Sequence, residues 1–194
     1  MKRLLLITLA LGLVLATGCA RRSVERIDTT STIDLSGRWN DSDSRLVAEE
    51  MIKDSLSRPW LTSFVDRNGK NPTMIVGEVQ NRSHELIATE TFIRDMEREY
   101  VNTGRVRVVQ GGNFREALRK ERGDQQEFAS PETMKKWGQE LGADFMLQGT
   151  INTIVDSYRN QKVVFYQVDL ELTNIQTNEK VWIGSKEIRK MVTN

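Results

Sequence analysis

The sequence predicts an α/β domain in which helices pack on a small mixed β-sheet that ends in a carboxy-terminal antiparallel β-hairpin. Three observations predict this fold. Segments with apolar residues at helical spacing alternate with short runs rich in β-branched residues. Turn clusters containing glycine or proline separate these segments. Near the carboxy terminus, apolar and polar residues alternate strictly, which is typical of a strand with one buried face.

The first helix is predicted near residues 43–57, with Ser42 or Ser44 as its N-cap. Its apolar stripe consists of Leu46, Val47, Met51, Ile52 and Leu56. Pro59 is expected to end it. A turn cluster at 68–72 then leads into a buried strand over residues 73–80.

A second helix is predicted near residues 88–103, ending at Gly104 as a C-cap glycine. Its apolar residues are Phe92, Ile93, Met96, Tyr100 and Val101. The valines at 106–109 predict a second strand, and residues 113–122 predict a third helix with Asn113 as N-cap. The polar stretch 122–129 is interpreted as a loop.

The pair Ser130–Pro131 predicts the start of a fourth helix, with serine at the N-cap and proline at the first helical position. Its inward-facing residues would be Met134, Trp137 and Leu141, and Gly142 would end it. A third strand follows over 144–153. The hairpin pairs a strand at 164–173 with one that begins at Val181, around a turn at 176–180.

The amino terminus predicts export and lipidation. Lys2 and Arg3 precede an apolar stretch that is too short for a bilayer-spanning helix. Residues 15–19, Leu-Ala-Thr-Gly-Cys, resemble the lipobox of bacterial lipoproteins, which predicts cleavage before Cys19 and a diacylglycerol on its thiol. An ordinary signal peptide with a cysteine near the cut is the alternative. The predicted organisation is a signal peptide at 1–18, a lipidated flexible tether at 19–41 and a globular domain at 42–194.

The overall composition argues against several classes of function. Without residues 1–18, 26 basic residues face 27 acidic ones, because Lys2 and Arg3 are removed from the 28. A near-neutral balance argues against nucleic-acid binding. Cys19 is the one cysteine, which excludes disulfides and cysteine metal sites within the chain. Ala20 after the cysteine, rather than aspartate, fits outer-membrane sorting by analogy with enteric bacteria.

No catalytic or metal-binding constellation stands out. The single histidine, His84, lies in a polar loop without a nucleophile elbow, and we interpret it as a plain loop residue. With one histidine and one cysteine, a zinc site is not expected. Gly111–Gly112 lacks the spacing of a phosphate-binding loop, so a tight turn with positive φ is expected there.

Paired acids and tryptophans offer no stronger sign of an active site. The glutamates at 49, 50, 97 and 99 are interpreted as solvated helix faces rather than as a glycosidase pair. Trp137 is expected in the core. Trp39 and Trp60 lie in turns beside arginines, so a surface contact role for them stays open. The sequence therefore predicts no enzyme and no cofactor.

Several segments together resemble the LpoB family of lipoprotein activators of penicillin-binding proteins. They are the lipobox, Ser36–Asp41 (SGRWND), Leu56–Trp60 (LSRPW) and Ile75–Val79 (IVGEV). Residues 142–149 (GADFMLQG) and the hairpin from Val164 to Trp182 resemble the same group, which includes CsgG-type lipoproteins and the amino-terminal domain of TolB. The similarity covers nearly the whole mature chain.

The resemblance implies an α/β domain of the TolB amino-terminal type and a non-enzymatic role. The protein would be anchored in the outer membrane through Cys19, face the periplasm, and bind and stimulate a class A penicillin-binding protein, a bifunctional peptidoglycan synthase. The resemblance places no docking residues. Two alternatives remain open: a CsgG-like secretion or surface-assembly lipoprotein that would oligomerise, and an envelope hydrolase that would depend on His84 or a glutamate.

Overall fold

The computed structural model describes residues 23–130 and 140–193. Within them the chain forms four helices and five strands. The helices are α1 (Asp41–Ser57), α2 (Pro59–Asn68), α3 (Thr89–Thr103) and α4 (Gly112–Phe128). The strands are β1 (Thr73–Arg82), β2 (Arg107–Val108), β3 (Phe145–Tyr158), β4 (Gln161–Asn174) and β5 (Lys180–Thr193).

The strands form one mixed sheet in the order β2-β1-β3-β4-β5. The pairs β1–β2 and β1–β3 are parallel, whereas β3–β4 and β4–β5 are antiparallel. A register shift between Val76 and Val79 interrupts the β1–β3 ladder. This topology confirms the predicted mixed sheet and terminal hairpin, and β3, β4 and β5 each extend to 14 residues.

The first helix is capped by Asn40 rather than by the predicted Ser42 or Ser44. The Asn40 side chain accepts a hydrogen bond from the Asp43 amide (3.1 Å), and the Asp43 carboxylate accepts one from the Asn40 amide (2.9 Å). This reciprocal pair is a capping box. Ser42 and Ser44 are instead buried within the first turn of α1.

Pro59 ends α1, as predicted, because the residue before a proline avoids the helical region and Arg58 is extended at φ −85°, ψ 155°. The sequence interpretation missed that Pro59 also starts α2 at its first turn. Three apolar side chains of α2, those of Trp60, Leu61 and Phe64, are buried. Their i, i+1, i+4 spacing could have predicted this second, shorter helix.

The core lies between the helices α1–α3 and one face of the sheet. Alternate residues of β4 supply its largest continuous stripe: Val164, Tyr166, Val168, Leu170 and Leu172. Phe92, Met96 and Tyr100 of α3 are fully buried, and α3 ends at Gly104 as predicted. Leu46 of α1 and Val101 of α3 were assigned to apolar stripes, but both are exposed.

Helix α4 is longer and starts earlier than predicted. Gly111, not Asn113, is its N-cap residue, and residues 122–128 are helical rather than loop. None of its residues is buried, and Phe128 is 77% exposed. A helix without a buried stripe leaves little periodic signal in the sequence, which explains the wrong boundary.

Several predictions fall outside the described residues: the signal segment at 1–18, Cys19, and Met134 and Trp137 of the predicted fourth helix. Leu141 is described and is exposed, so its assignment to an inward face was wrong. Residues 23–31 belong to a separate unit, in which the amide of Thr30 donates to Asp28 (2.7 Å). The compact unit that contains the sheet begins at Thr32.

Candidate interaction surface

A short segment before α1, residues 34–40, lies against the sheet, and we call it the strap. Lys190 of β5 holds it: its ammonium donates to Asp34 and to Asp43, both at 2.6 Å, and to the carbonyl of Arg38 at 3.1 Å. Lys190 is only 7% exposed. Burial alone would lower the pKa of Lys190, but the hydrogen bonds to the two carboxylates outweigh it and raise this pKa.

A second group of contacts fixes the middle of the strap. The hydroxyl of Tyr166 donates to Glu85 (2.8 Å) and lies 3.2 Å from the carbonyl oxygen of Gly37. Burial and the neighbouring Glu85 carboxylate raise the pKa of Tyr166, so its hydroxyl stays protonated. Gly37 has φ +68°, and a Cβ there would lie 2.3 Å from Val192. Glycine is therefore required at this close approach.

Trp39 packs the end of the strap against the core. Its ring makes edge contacts with Phe92 and Tyr166, and its indole N–H donates to Ser44 (2.8 Å). Of the two tryptophans for which a surface contact role stays open in the sequence, Trp60 is buried against Phe145, whereas Trp39 is partly buried and packs on the core. Sequence reasoning also missed the Lys190 cluster, since its partners lie about 150 positions earlier in the chain.

The opposite face of the long strands carries a band of polar side chains. It consists of Gln148, Thr150, Gln167, Asp169 and Glu171, and we call it the polar band. The side-chain amide of Gln167 donates to both oxygens of Asp169 (2.9 Å), and Lys180 pairs with Glu171 (2.5 Å). All five side chains are half-buried or exposed.

The band continues into a groove of about 260 Å³ between β1 and β5, lined also by Glu78 and Ile183. Glu187 pairs with Gln167 across the β4–β5 ladder and therefore points to the same face. The carboxylates of this surface, those of Glu78, Asp169, Glu171 and Glu187, outnumber its cations, Arg82 and Lys180, so it suits a partner with a basic surface.

A larger groove of about 650 Å³ runs between β1, α3 and the start of α4. Ile75, Ile93 and Phe114 line it, and the Arg94 guanidinium lies 4.3 Å from the centre of the Phe114 ring. The glycines at 111 and 112 form its turn: Gly112 has φ +53°, as the tight-turn interpretation predicted.

A third recess, of about 500 Å³, lies where α1 meets β5. The indole N–H of Trp182 donates to Asp54 (2.8 Å), and Arg58 pairs with the same carboxylate. The hydrogen bonds from Arg58 and then from Trp182 lower the pKa of Asp54. The hydrogen bond from Trp182 to Asp54 holds α1 on the edge strand β5.

The remaining titratable candidates lie apart from one another. His84 is exposed in the loop after β1, where its backbone amide donates to Thr153 (3.2 Å). Glu49 and Glu50 pair at the surface with Arg45 and Lys186, as solvated helix faces would, whereas the side chain of Glu97, which pairs with Arg94, is only 16% exposed. Among the described residues, no three side chains of the His, Cys, Asp or Glu type are grouped to hold a metal ion.

A family model for the peptidoglycan-synthase activator LpoB matches residues 43–188. This range runs from the first turn of α1 to the middle of β5. It covers well over half of the 194 residues and includes the whole sheet apart from the last residues of β5. A search of curated proteins gives no significant match.

Solved structures of low sequence identity are similar to the chain. The LpoB carboxy-terminal domain from Escherichia coli shares 17% identity, covers 76% of this chain and 99% of that one, and gives a TM-score of 0.48. Lipoprotein GNA1162 from Neisseria meningitidis shares 16% identity, with 62% and 83% covered and a TM-score of 0.41. The resemblance in the sequence is thus confirmed by the family model, and the chain belongs to the LpoB family of peptidoglycan-synthase activators.

Proposed function

We propose that this protein is an outer-membrane lipoprotein, anchored through Cys19 and facing the periplasm, that binds a class A penicillin-binding protein and stimulates its synthesis of peptidoglycan. The observation that carries the proposal is the family match over residues 43–188, because it spans the folded domain rather than the leader. The proposed role needs no catalytic residue: binding would favour the active conformation of the synthase.

The amino-terminal sequence supports the anchor. Leu15 to Cys19 is lipobox-like, and the chain has no second cysteine to compete for modification. No helix in the described part of the chain is long and apolar enough to cross a bilayer. An acylated amino-terminal cysteine carries more than one lipid chain, which is sufficient for stable attachment. From Cys19 to Thr32, where the compact unit begins, the chain spans at most about 45 Å when extended, which limits how far the domain can lie from its proposed anchor.

The polar band is the docking surface that we propose for the synthase. The open side of the three 14-residue strands measures about 14 by 46 Å, and with the adjoining ten-residue β1 it comes close to the roughly 800 Å² that each partner buries in a standard interface. Its excess of carboxylates, with Asp169 and Glu171 at the centre, would steer a basic surface of the synthase toward it.

Binding of the mature lipidated protein to the class A penicillin-binding protein of the same bacterium tests this proposal. We expect the double variant Asp169→Arg, Glu171→Arg to bind at least about tenfold more weakly, because two favourable charges become repulsive. The matched control is Glu121→Arg, Glu127→Arg on the exposed surface of α4, which should bind as the unchanged protein does.

Unchanged binding by the Asp169, Glu171 variant would move the docking surface elsewhere on the domain. Failure of the unchanged protein to bind any class A synthase of that bacterium would remove the proposed function. Melting temperatures of all variants should agree within a few degrees, which shows that the binding differences do not reflect unfolding.

A further inference from the structure

Strand β5 forms an edge of the sheet, and half of its backbone hydrogen-bonding groups point away from the sheet. In the β4–β5 ladder, alternate residues turn their N–H and C=O groups toward the neighbouring strand, and the others turn theirs away. The amide of Asn174 at the end of β4 donates to the carbonyl of Glu179 just before β5 (2.8 Å), so the even-numbered residues of the two strands turn toward each other. The residues whose backbone groups point outward are Ile183, Ser185, Glu187, Arg189 and Met191.

In the described part of the chain, no strand pairs with this outer edge of β5. Among residues 23–130 and 140–193, no backbone hydrogen bond reaches the five outward residues from outside the strand. Their side chains lie on the open face and are all exposed. The strap meets β5 on the covered face, where the Lys190 ammonium donates to Asp34 and where Gly37 lies beside Val192. A long edge strand without a neighbour offers its backbone groups to another strand.

The side chains of the outer edge are complementary to those of a second copy. In an antiparallel pair of β5 strands with a two-fold axis at Ile188, Glu187 of each copy lies directly opposite Arg189 of the other. Such a pair of opposite charges stabilises neighbouring strands, and the symmetry forms it twice. Within the described residues, neither Glu187 nor Arg189 takes part in an ion pair, and the Arg189 guanidinium lies 5.5 Å from the centre of the Phe165 ring. Both charges are therefore available to a second copy.

The backbone groups match in the same register. Because Glu187 and Arg189 both point outward, each such pair exchanges two N–H···O=C hydrogen bonds across the axis. Ser185 then lies opposite Met191, and the pairing extends over residues 183–193 with about twelve hydrogen bonds in all. Moving the axis to Glu187 or to Arg189 would set like charges opposite each other, so the charges select this register.

Lysines often protect an edge strand from such pairing, and β5 has two of them near the axis. Both lie on the covered face and are paired within the chain. Lys186 pairs with Glu50. Lys190 pairs with Asp34 and Asp43. Lys186 of one copy lies opposite Lys190 of the other in this register, but the carboxylates compensate both charges, so the lysines do not oppose the contact.

We propose that two copies of this protein pair through β5 and form one continuous ten-stranded sheet. The pairing itself needs neither the synthase nor the acyl chain. The two polar bands then share one face of the joined sheet. Lys190 is two positions from the axis and holds Asp34, so both compact units begin near the axis, at Thr32. Two copies anchored as proposed meet in one membrane, which raises their effective concentration.

Sedimentation equilibrium of the mature chain with Cys19→Ser, which needs no detergent, measures this pairing. We expect the mass to rise toward that of two chains as the concentration increases. Glu187→Arg sets like charges opposite each other twice and should weaken the dimer at least about tenfold. The double variant Glu187→Arg, Arg189→Glu reverses both ion pairs and should restore the dimer. The matched control is Glu121→Arg on the exposed surface of α4, which should pair as the unchanged protein does.

The register of the pair is tested in the full lipidated protein in vesicles. Glu187→Cys and Arg189→Cys are made as separate variants, each with one reactive thiol because acylation blocks Cys19. Directly opposed residues have Cα atoms about 5.5 Å apart, which suits a disulfide. Co-expressed variants should form a cross-linked dimer with one copy of each, identified by mass spectrometry. Either variant alone should form few cross-links, because its two thiols are offset by two residues along the strands.

Four results would overturn the inference. The first is a chain that stays monomeric at every concentration reached. The second is an assembly of more than two copies, which a closed two-fold pair does not form. The third is a dimer that Glu187→Arg leaves unchanged, or that the folded double variant does not restore. The fourth is equal cross-linking of the separate and the co-expressed cysteine variants. A monomeric protein that still stimulates the synthase would leave the proposed function intact.

Discussion

The two sides of strand β4 differ sharply, although they alternate residue by residue. On one side Val164, Val168 and Leu170 are at most 1% exposed beneath the helices. On the other side Gln167, Asp169 and Glu171 are half-buried; Gln167 and Asp169 are hydrogen-bonded to each other, and Glu171 pairs with Lys180 of β5. The side covered by the helices therefore contributes the hydrophobic burial that stabilises the fold, and the open side remains available for a partner. Substitutions on the two sides should separate stability from binding.

The largest stability effect is expected on the covered side. Leu170→Ala should lower the free energy of unfolding by about 2–5 kcal/mol, because it removes buried methyl groups and leaves a cavity. Its neighbour Glu171→Ala should change it by less than about 1 kcal/mol, since the pair with Lys180 is solvated. Urea denaturation measures both, and equal losses would contradict the division between the two sides.

Lys190 is an exception to this division, because it is a buried charge. Lys190→Ala should lower the free energy of unfolding by about 3 kcal/mol, since Asp43 would be left buried without its cation. The control Lys186→Ala removes a lysine whose partner, Glu50, is exposed, and should cost at most about 1 kcal/mol. If the two lysines contribute equally, the strap is not held as described.

In alkaline solution the free energy of unfolding should decrease as the pH rises. The folded-state pKa of Lys190 is raised, so its contribution is complete below the unfolded value of about 10.4 and is lost as pH rises through the folded value. The raised pKa values of Tyr100 and Tyr166 act in the same direction. The free energy of unfolding should fall between about pH 9 and 12, and less steeply in Lys190→Met. An unchanged slope in that variant would contradict the assignment.

The smallest effect concerns the end of the strap. Trp39→Phe keeps an aromatic ring against Phe92 and Tyr166 but removes the donor to Ser44. It should lower the free energy of unfolding by about 1 kcal/mol, the usual net value of one hydrogen bond. Thermal unfolding monitored by circular dichroism measures this change, and a loss as large as that of Leu170→Ala would show that the ring itself is misplaced.

The comparison also explains what the sequence could predict. Strand β4 could be predicted because its apolar and polar residues alternate so clearly. Helices α1 and α3 could be predicted from their stripes of buried apolar residues. None of the residues of helix α4 is buried, so no apolar stripe marks its extent in the sequence, and its predicted boundaries were wrong. Helix α2 is short and follows a proline, which was interpreted only as a stop.

Contacts that depend on tertiary structure left no local signal. The cap at Asn40, and the ion pairs from Lys190 to Asp34 and Asp43, join residues whose proximity follows from the completed sheet. In the sequence, the polar residues of β4 indicate only the solvated side of a strand. That they belong to a wider polar band follows from their neighbours on β3 and β5. Local patterns thus predict elements, whereas the surfaces that a partner meets arise from their assembly.

The most direct test of the account is the rate at which the class A penicillin-binding protein of the same bacterium polymerises glycan strands, measured with and without the mature lipidated protein. The account predicts a several-fold rise that saturates with binding and is lost in Asp169→Arg, Glu171→Arg. An unchanged rate while the synthase is saturated with the protein would contradict it.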